Sequence, residues 1–513
     1  MNEKCYGQEE DATVVSPMEK AEQEALYSTI QGFVGNSWNG SDLYPDPCGS
    51  TSIEGVSCDI FNGLWYVTVI NIGPIHENSL PCANEKLEFK PELFQLKHLK
   101  AISFFNCFQS PNKLPVSIPT GNWEKLAESL ESIEFRSNPG LIGNIPSTFG
   151  VLKNLQSLVL LENGLTGNIP QEIGNLVKLK RLVLSGNNFS GNIPDIFGGL
   201  SDLLILDLSR NSLSGTLPVT LGRLISVLKL DLSHNFLEGK LLNEFGNLKN
   251  LTLMDLRNNR LCCGLVLSLQ EMNSLEEMVL SNNPLGGDIR TLKWENLQNL
   301  VILELSNMEL IGEIPESLSQ LKKLRFLGLS DNNITGNLSP KLETLPSLNA
   351  LYLSGNNLKG EIQFSKGFFG KLGRRFGAWS NPKLCYPFEL MSTNNVPYGV
   401  KPCHQEEIHL VKSNAKTEVI NGDINHNSNF ITSMGFSSCA TSCFWWIFMI
   451  LGLLKHKSCN LLLTCPVKIT YVEWWFTMFR CGRCRVFTVE EKVVCKYVST
   501  PKLKTIFKRF DYV

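Results

Sequence analysis

The side chains in this sequence that could do covalent or redox chemistry are its sixteen cysteines. Cys48 and Cys58, in D-P-C-G-S-T-S-I-E-G-V-S-C-D, are placed to pair in an oxidising compartment. Cys82 and Cys107 could pair as well, although a buried thiol accounts for Cys107 equally well. Farther on, Cys459, Cys465, Cys481, Cys484 and Cys495 include a single C-x-x-C, at Cys481 and Cys484. A zinc site needs a second pair at matching spacing, so no metal is assigned. Nucleophilic and nucleotide chemistry lack their residues. The seven histidines are scattered, and the chain has no G-x-S-x-G elbow and no G-x-x-x-x-G-K-[ST] loop. The V-A-I-K, H-R-D and D-F-G set of a kinase is missing too. The sequence assigns no catalytic residue and no cofactor, and the protein reads as a non-enzyme.

Amides and leucines recur instead, in a phrase of about twenty-four residues that opens L-x-x-L-x-L-x-x-N-x-L-x-G. Its openings fall at Leu130, Leu155, Leu179, Leu203, Val227, Leu251, Leu275, Leu300, Leu324 and Leu348. The L-x-L core alternates apolar and outward residues, the mark of a short strand. One coil cannot bury its own leucines, but neighbours stacked along a ladder can. This predicts an α/β solenoid of leucine-rich repeats, about twelve coils with a parallel sheet on the concave face. The asparagines of the phrase are Asn138, Asn163, Asn187, Asn211, Asn235, Asn259, Asn283, Asn332 and Asn356. Each carries both donors and acceptors, and is expected to turn inward and satisfy backbone groups where the chain leaves the sheet. Their role is structural.

Recognition chemistry belongs to the residues between the inward leucines. One column runs Asp207, Asp231, Asp255, Val279, Glu304, Gly328 and Tyr352, flanked by Arg210, Lys229 and Arg257. Nearer the C-terminus, Ile302, Phe326, Ala350 and Tyr352 are expected to surface as an apolar patch able to anchor a partner. The alternative reading of the acidic part is that L-D-L-S is simply a favoured strand in such repeats. With 43% hydrophobic residues, 19% charged and a formal charge of −2, the chain suits a large folded protein and not a nucleic-acid binder.

In chain order, residues 1–20 are a polar extension with no apolar run of signal-peptide length, read as the product of a missing or mispredicted first exon. Residues 21–66 form an N-terminal cap, in which Ala25, Leu26, Ile30 and Phe33 recur at helical spacing. Repeats occupy 67–363, starting from the strand of Val67, Ile70 and Ile72. A second, irregular coil has Leu99, Ile102 and Phe104, with Cys107 at the asparagine position. A C-terminal cap spans 364–403, where Phe364, Phe368, Phe369, Phe376 and Trp379 cover the last coil, Cys385 and Cys403 staple it, and Lys366, Lys371, Arg374 and Arg375 form a solvated basic face. A polar stalk covers 404–433. Residues 434–454 are uncharged and end against Lys455-His456-Lys457, long enough as a helix to cross a hydrocarbon core of about 30 Å with its basic end in the cytoplasm. The basic, cysteine-rich tail 455–513 reads as a translated intron or an alternative terminus. Sequons at Asn39, Asn188, Asn250, Asn333 and Asn337 agree with a secretory route.

The two-cysteine cap, the twenty-four-residue phrase and the G-x-I-P continuation at Gly143 to Pro146, Gly167 to Pro170, Gly191 to Pro194 and Gly312 to Pro315 resemble the plant-type leucine-rich repeats of receptor kinases and receptor-like proteins. That resemblance covers residues 21–403. It implies a right-handed superhelix on a single-pass protein of the plasma membrane, with its ectodomain outside. Implied partners are a peptide, protein or glycan ligand on the concave face and a membrane co-receptor kinase, in signalling to symbiotic or pathogenic microbes. A secreted inhibitor of microbial cell-wall-degrading enzymes and a cytosolic scaffold remain as alternatives on the same scaffold.

Departures from the pattern carry their own expectations. Ser50 stands where such caps have a tryptophan. Met308 replaces a ladder asparagine, so a gap or a shift of Asn307 into its role is expected. Cys262 and Cys263 read as a drifted buried position. From Leu242 onward the I-P signature lapses except at Ile314-Pro315, so the flank opposite the concave sheet should be less regular there.

Overall fold

The computed structural model describes residues 17–74, 80–83, 87–109, 115–392 and 396–403. They belong to one compact unit, Met1–Leu410. The stalk, the apolar run 434–454 and the tail with its five cysteines lie outside the described residues. No helix among the described residues is long and apolar enough to cross a membrane.

Helix Lys20–Val34 lids the solenoid with its apolar face inward: Ala25, Leu26, Ile30 and Phe33 are buried, as their spacing requires. Phe33 packs 4.4 Å, centroid to centroid, from Phe104 of the second coil. With Ser50 exposed, the cap's aromatic packing comes from elsewhere, Trp38 contacting both Tyr27 and Tyr44. The hairpin of Val56–Phe61 and Leu64–Ile72 then starts the concave sheet, antiparallel at this first pair and parallel thereafter. Among the described residues this sheet has fourteen strands and ends at Phe376–Gly377. Equivalent leucines stack in register, Leu182 beside Leu206 beside Leu230, and their burial supplies one continuous core.

On the opposite flank, each I-P proline sits in extended conformation just before a short 3-10 turn, as Pro170 does before Gln171–Asn175. Its fixed φ suits that position and its missing N–H costs nothing there. Leu242 and Val266 take the same conformation without proline, so the turns persist where the signature lapses. Among the described residues, a seven-stranded outer sheet runs from Val116–Ser117 to Arg260–Cys262 and then stops. It resumes, as part of another sheet, only at Thr335–Asn337, with isolated bridges between.

Met308 explains the break. In a regular coil Leu237 N–H donates to Asn259 Oδ1 at 3.0 Å, while Asn259 Nδ2 donates to the carbonyls of Leu232 and Leu256. The Met308 thioether cannot accept the corresponding bond, so Leu285 N–H turns to the carbonyl of Asn283 and Gly286 N–H to that of Met308, both at 2.7 Å. The chain leaves the strand path at that point. Asn307 does not take over the role: it has φ 54° and stays in an exposed amide row, donating to Asn282 at 2.9 Å.

All nine predicted ladder asparagines turn inward and bond backbone groups. A tenth, Asn381, lies in the region assigned to the cap; it donates to the carbonyls of Leu353 and Ala378 and accepts from Leu358 N–H. The sheet therefore runs one strand farther than the leucine phrase. Cys48–Cys58 and Cys385–Cys403 are paired, and Cys82–Cys107 is a disulfide and not a lone buried thiol. Cys262 and Cys263 depart from expectation: they are joined to each other, and Cys263 is exposed.

Candidate ligand-binding face

The strands Ile205–Asp207, Lys229–Asp231, Leu253–Asp255, Glu277–Val279, Ile302–Glu304, Phe326–Gly328 and Ala350–Tyr352 hold the candidate binding residues in unbroken register, except Arg257, which lies two residues past the end of its strand. Asp207, Asp231, Asp255, Val279, Glu304, Gly328 and Tyr352 form one column. Lys229, Ile302 and Phe326 belong to the column two residues earlier.

The acidic part of this floor is less open than expected. Asp207 and Asp255 are buried, 9% and 6% exposed, because side chains on adjacent strands stand close enough to shield one another. Lys229 is held between two of them, with Nζ 3.1 Å from Asp207 Oδ2 and 3.7 Å from Asp231 Oδ2. Burial pulls its ammonium down, but the two carboxylates outweigh that and keep its pKa above the ordinary value. Asp255 has a weaker set of partners. Burial, followed by the neighbouring charge of Asp231, pushes its carboxyl up to about 6, against the Arg257 N–H and a guanidinium 3.2 Å away. Asp207 and Asp231 also fix local backbone, each accepting from the N–H and hydroxyl of the serine two residues on.

Toward the C-terminus the face opens. Ile302, Glu304, Phe326 and Tyr352 are half-buried, whereas Ala350 is covered and adds no apolar surface. Phe326 and Tyr352 lie 5.7 Å apart, centroid to centroid. Trp379, expected to cover the last coil, is 38% exposed, while Phe364, Phe368, Phe369 and Phe376 do that covering.

Sequence reasoning missed a cluster at the other end. Glu134 Oε2 lies 2.8 Å from Arg136 and its Oε1 3.5 Å from Arg181, next to half-exposed Phe105. A cleft of about 420 Å³ opens there, lined by Pro74, Ser103, Phe104, Phe105, Glu134 and Arg136. Register counting back from Asp207 through Val183 and Val159 reaches Glu134, so the signal was present in the sequence. The five sequon asparagines are all exposed, and none belongs to the fourteen-stranded sheet.

This architecture and its laddered asparagines define a leucine-rich repeat solenoid. Residues 143–392 match the family described as a leucine-rich repeat region. The chain is similar to plant receptor-like proteins. It is 63% identical over 148 residues to Piriformospora indica-insensitive protein 2 of Arabidopsis thaliana, which covers 29% of this chain and 34% of that protein. Receptor like protein 29 of Arabidopsis thaliana is 34% identical over 153 residues, 29% of this chain and 31% of its own length. The match to these curated relatives thus spans about a third of their length. Among solved structures, the crystal structure of PEPR1-AtPEP1 superposes with a TM-score of 0.52 and 27% identity, covering 72% of this chain and 51% of that one.

Proposed function

We propose that this protein is a non-enzymatic cell-surface receptor-like protein of plants that binds a ligand or co-receptor on its concave face and signals the presence of symbiotic or pathogenic microbes. The observation that carries this reading is the registered concave sheet kept clear of every sequon asparagine, with half-exposed Ile302, Glu304, Phe326 and Tyr352 at its C-terminal end. Large aromatics at the surface are typical interface anchors. A link to microbes is supported by the relative named for insensitivity to Piriformospora indica.

Partners in this reading are a peptide, protein or glycan and a membrane co-receptor kinase, with no nucleic acid. The acidic floor then serves as a neutralised base beneath the ligand, Lys229 and Arg257 balancing its carboxylates. The test is capture from solubilised plant membranes. Phe326→Ala with Tyr352→Ala should abolish capture of the membrane partner while leaving secretion and melting temperature nearly unchanged. Undiminished capture by that folded double variant would refute the site, and failure to fold would assign the two rings to the core.

A further inference from the structure

At the C-terminal end of the concave sheet, the column Glu304, Gly328, Tyr352, Gly377 alternates a large side chain with glycine. Each glycine leaves a space that a neighbour fills. A Cβ on Gly328 would lie 2.2 Å from Glu304 Oε2, and one on Gly377 would lie 2.7 Å from Trp379 Cζ3 and 3.0 Å from Tyr352 Cδ1. The Glu304 carboxylate and the Trp379 indole therefore rest over bare backbone. Gly399 makes the same allowance on the far side, where a Cβ would meet Trp379 Cβ at 2.6 Å. Phe326 adjoins Tyr352 at 5.7 Å and Trp379 adjoins Tyr398 at 6.2 Å, so these aromatics follow one another from the sheet onto the cap. Trp379 is 38% exposed and Tyr398 81%, which leaves both free to meet a ligand. Half-buried Ser306 and Ser330 run alongside: Ser306 Oγ accepts from Ser330 N–H at 3.2 Å, and Ser330 Oγ is oriented by the buried Ser354 Oγ 3.0 Å away.

We propose that this track binds an uncharged oligosaccharide built of hexoses with equatorial hydroxyls. The inference rests on reading the concave face as the recognition surface, and it names the ligand class for one end of that face. Such a sugar has a flat side of C–H groups, polarised positive, which matches the negative face of an aromatic ring. Its rim of hydroxyls suits a carboxylate that accepts and serines that both donate and accept. The cores of protein interfaces shed charge and seat their anchors in pockets. Here a carboxylate and hydroxyls stand among the rings. Glu304 has no ion-pair partner among the described residues, its Oε1 accepting only the Ser306 N–H, so the track repels acidic sugars.

The test is calorimetric titration of the full chain, purified from plant membranes in detergent, with hexamers of β-1,4-linked glucose, β-1,4-linked N-acetylglucosamine and galacturonic acid. Saturable binding of at least one neutral hexamer and none of the galacturonate hexamer is expected. Tyr398→Ala and Trp379→Ala should each weaken binding about tenfold, one stacked ring apiece. The melting temperature of Tyr398→Ala should match that of the unchanged protein, since the ring is largely in solvent. Saturable binding of neither neutral hexamer, equal affinity in the Trp379→Ala Tyr398→Ala double variant, or saturable binding of galacturonate would each overturn the proposal. None of these results touches membrane-partner capture by Phe326 and Tyr352, so the receptor reading and this one fall separately.

Discussion

Asp255→Asn should stabilise the protein at neutral pH and flatten its pH dependence. The carboxyl is buried beside Asp231, and its pKa rises from 3.8 to about 6. Between those values the unfolded chain has released a proton that the folded chain still holds, so the folded state binds more protons and loses stability as pH rises through the window. At about 1.36 kcal/mol per unit, the full shift is worth about 3 kcal/mol at pH 7. Asparagine keeps the oxygen that accepts Arg257 N–H, removes the charge, and leaves Arg257 half-exposed to water. The raised value already includes the pull of Arg257, so the variant should gain nearly the whole of this amount at pH 7. Urea unfolding of both proteins from pH 4 to pH 7 is the assay, and their difference isolates this residue from Glu22, which burial raises to about 7. The two curves should meet near pH 4 and separate by pH 6.5. A constant difference across the range, or a variant less stable at pH 7, would refute the electrostatic account of the floor.

Leu206→Ala should cost about 2 to 5 kcal/mol, since the side chain is fully buried, whereas Asp207→Ala should cost about 1 kcal/mol for its serine and lysine bonds; equal losses by thermal denaturation would mean the strand register is wrong. Asn259→Ala should cost about 2 to 3 kcal/mol, because it leaves buried Leu237 N–H without its acceptor and removes one of the two asparagine donors from each of the carbonyls of Leu232 and Leu256, and hydrogen exchange should quicken in those coils first. Mass mapping of protein from secreting cells should find Cys48 with Cys58 and Cys385 with Cys403. Loss of the first pair, ten residues apart, should cost about 3 kcal/mol, seen as early melting of the N-terminal cap.

The solenoid was legible because its period is written twice, once in the L-x-L alternation and again in the interval between coils. Counting that interval alone places Asp207 beside Asp231 and Phe326 beside Ala350, as the sheet does. Exposure was not legible in the same way. The sequence shows Asp207 and Asp255 on the solvent side of their strands, but only the closeness of the neighbouring rows reveals that they are covered. Asn381 escaped because Pro382 and Lys383 put an extra residue between it and Leu384, so the last coil no longer fits the phrase. The departure at Met308 was visible, but its consequence was not: the lost acceptor is repaired by two backbone carbonyls, which ends the outer sheet instead of shifting Asn307 inward. Trp379 and Tyr398 lie in the cap, where no repeat fixes the chain's path, so their approach to Gly377 and to each other had no sequence signal.

The most direct test of concave recognition is to place a glycan on that face. Glu304→Asn creates the sequon Asn-Leu-Ser with Leu305 and Ser306 at a half-exposed position of the sheet. Glu304→Gln is the matched variant without a glycan, and Asn188→Gln removes a sequon from the outer sheet. Capture of the membrane partner would be measured on secreted, folded protein whose added glycan is confirmed by mass. Loss of capture in the glycan-bearing variant well beyond the partial loss expected of Glu304→Gln, with Asn188→Gln capturing normally, is the predicted result. Full capture by protein carrying a glycan at position 304 would contradict recognition on the concave face.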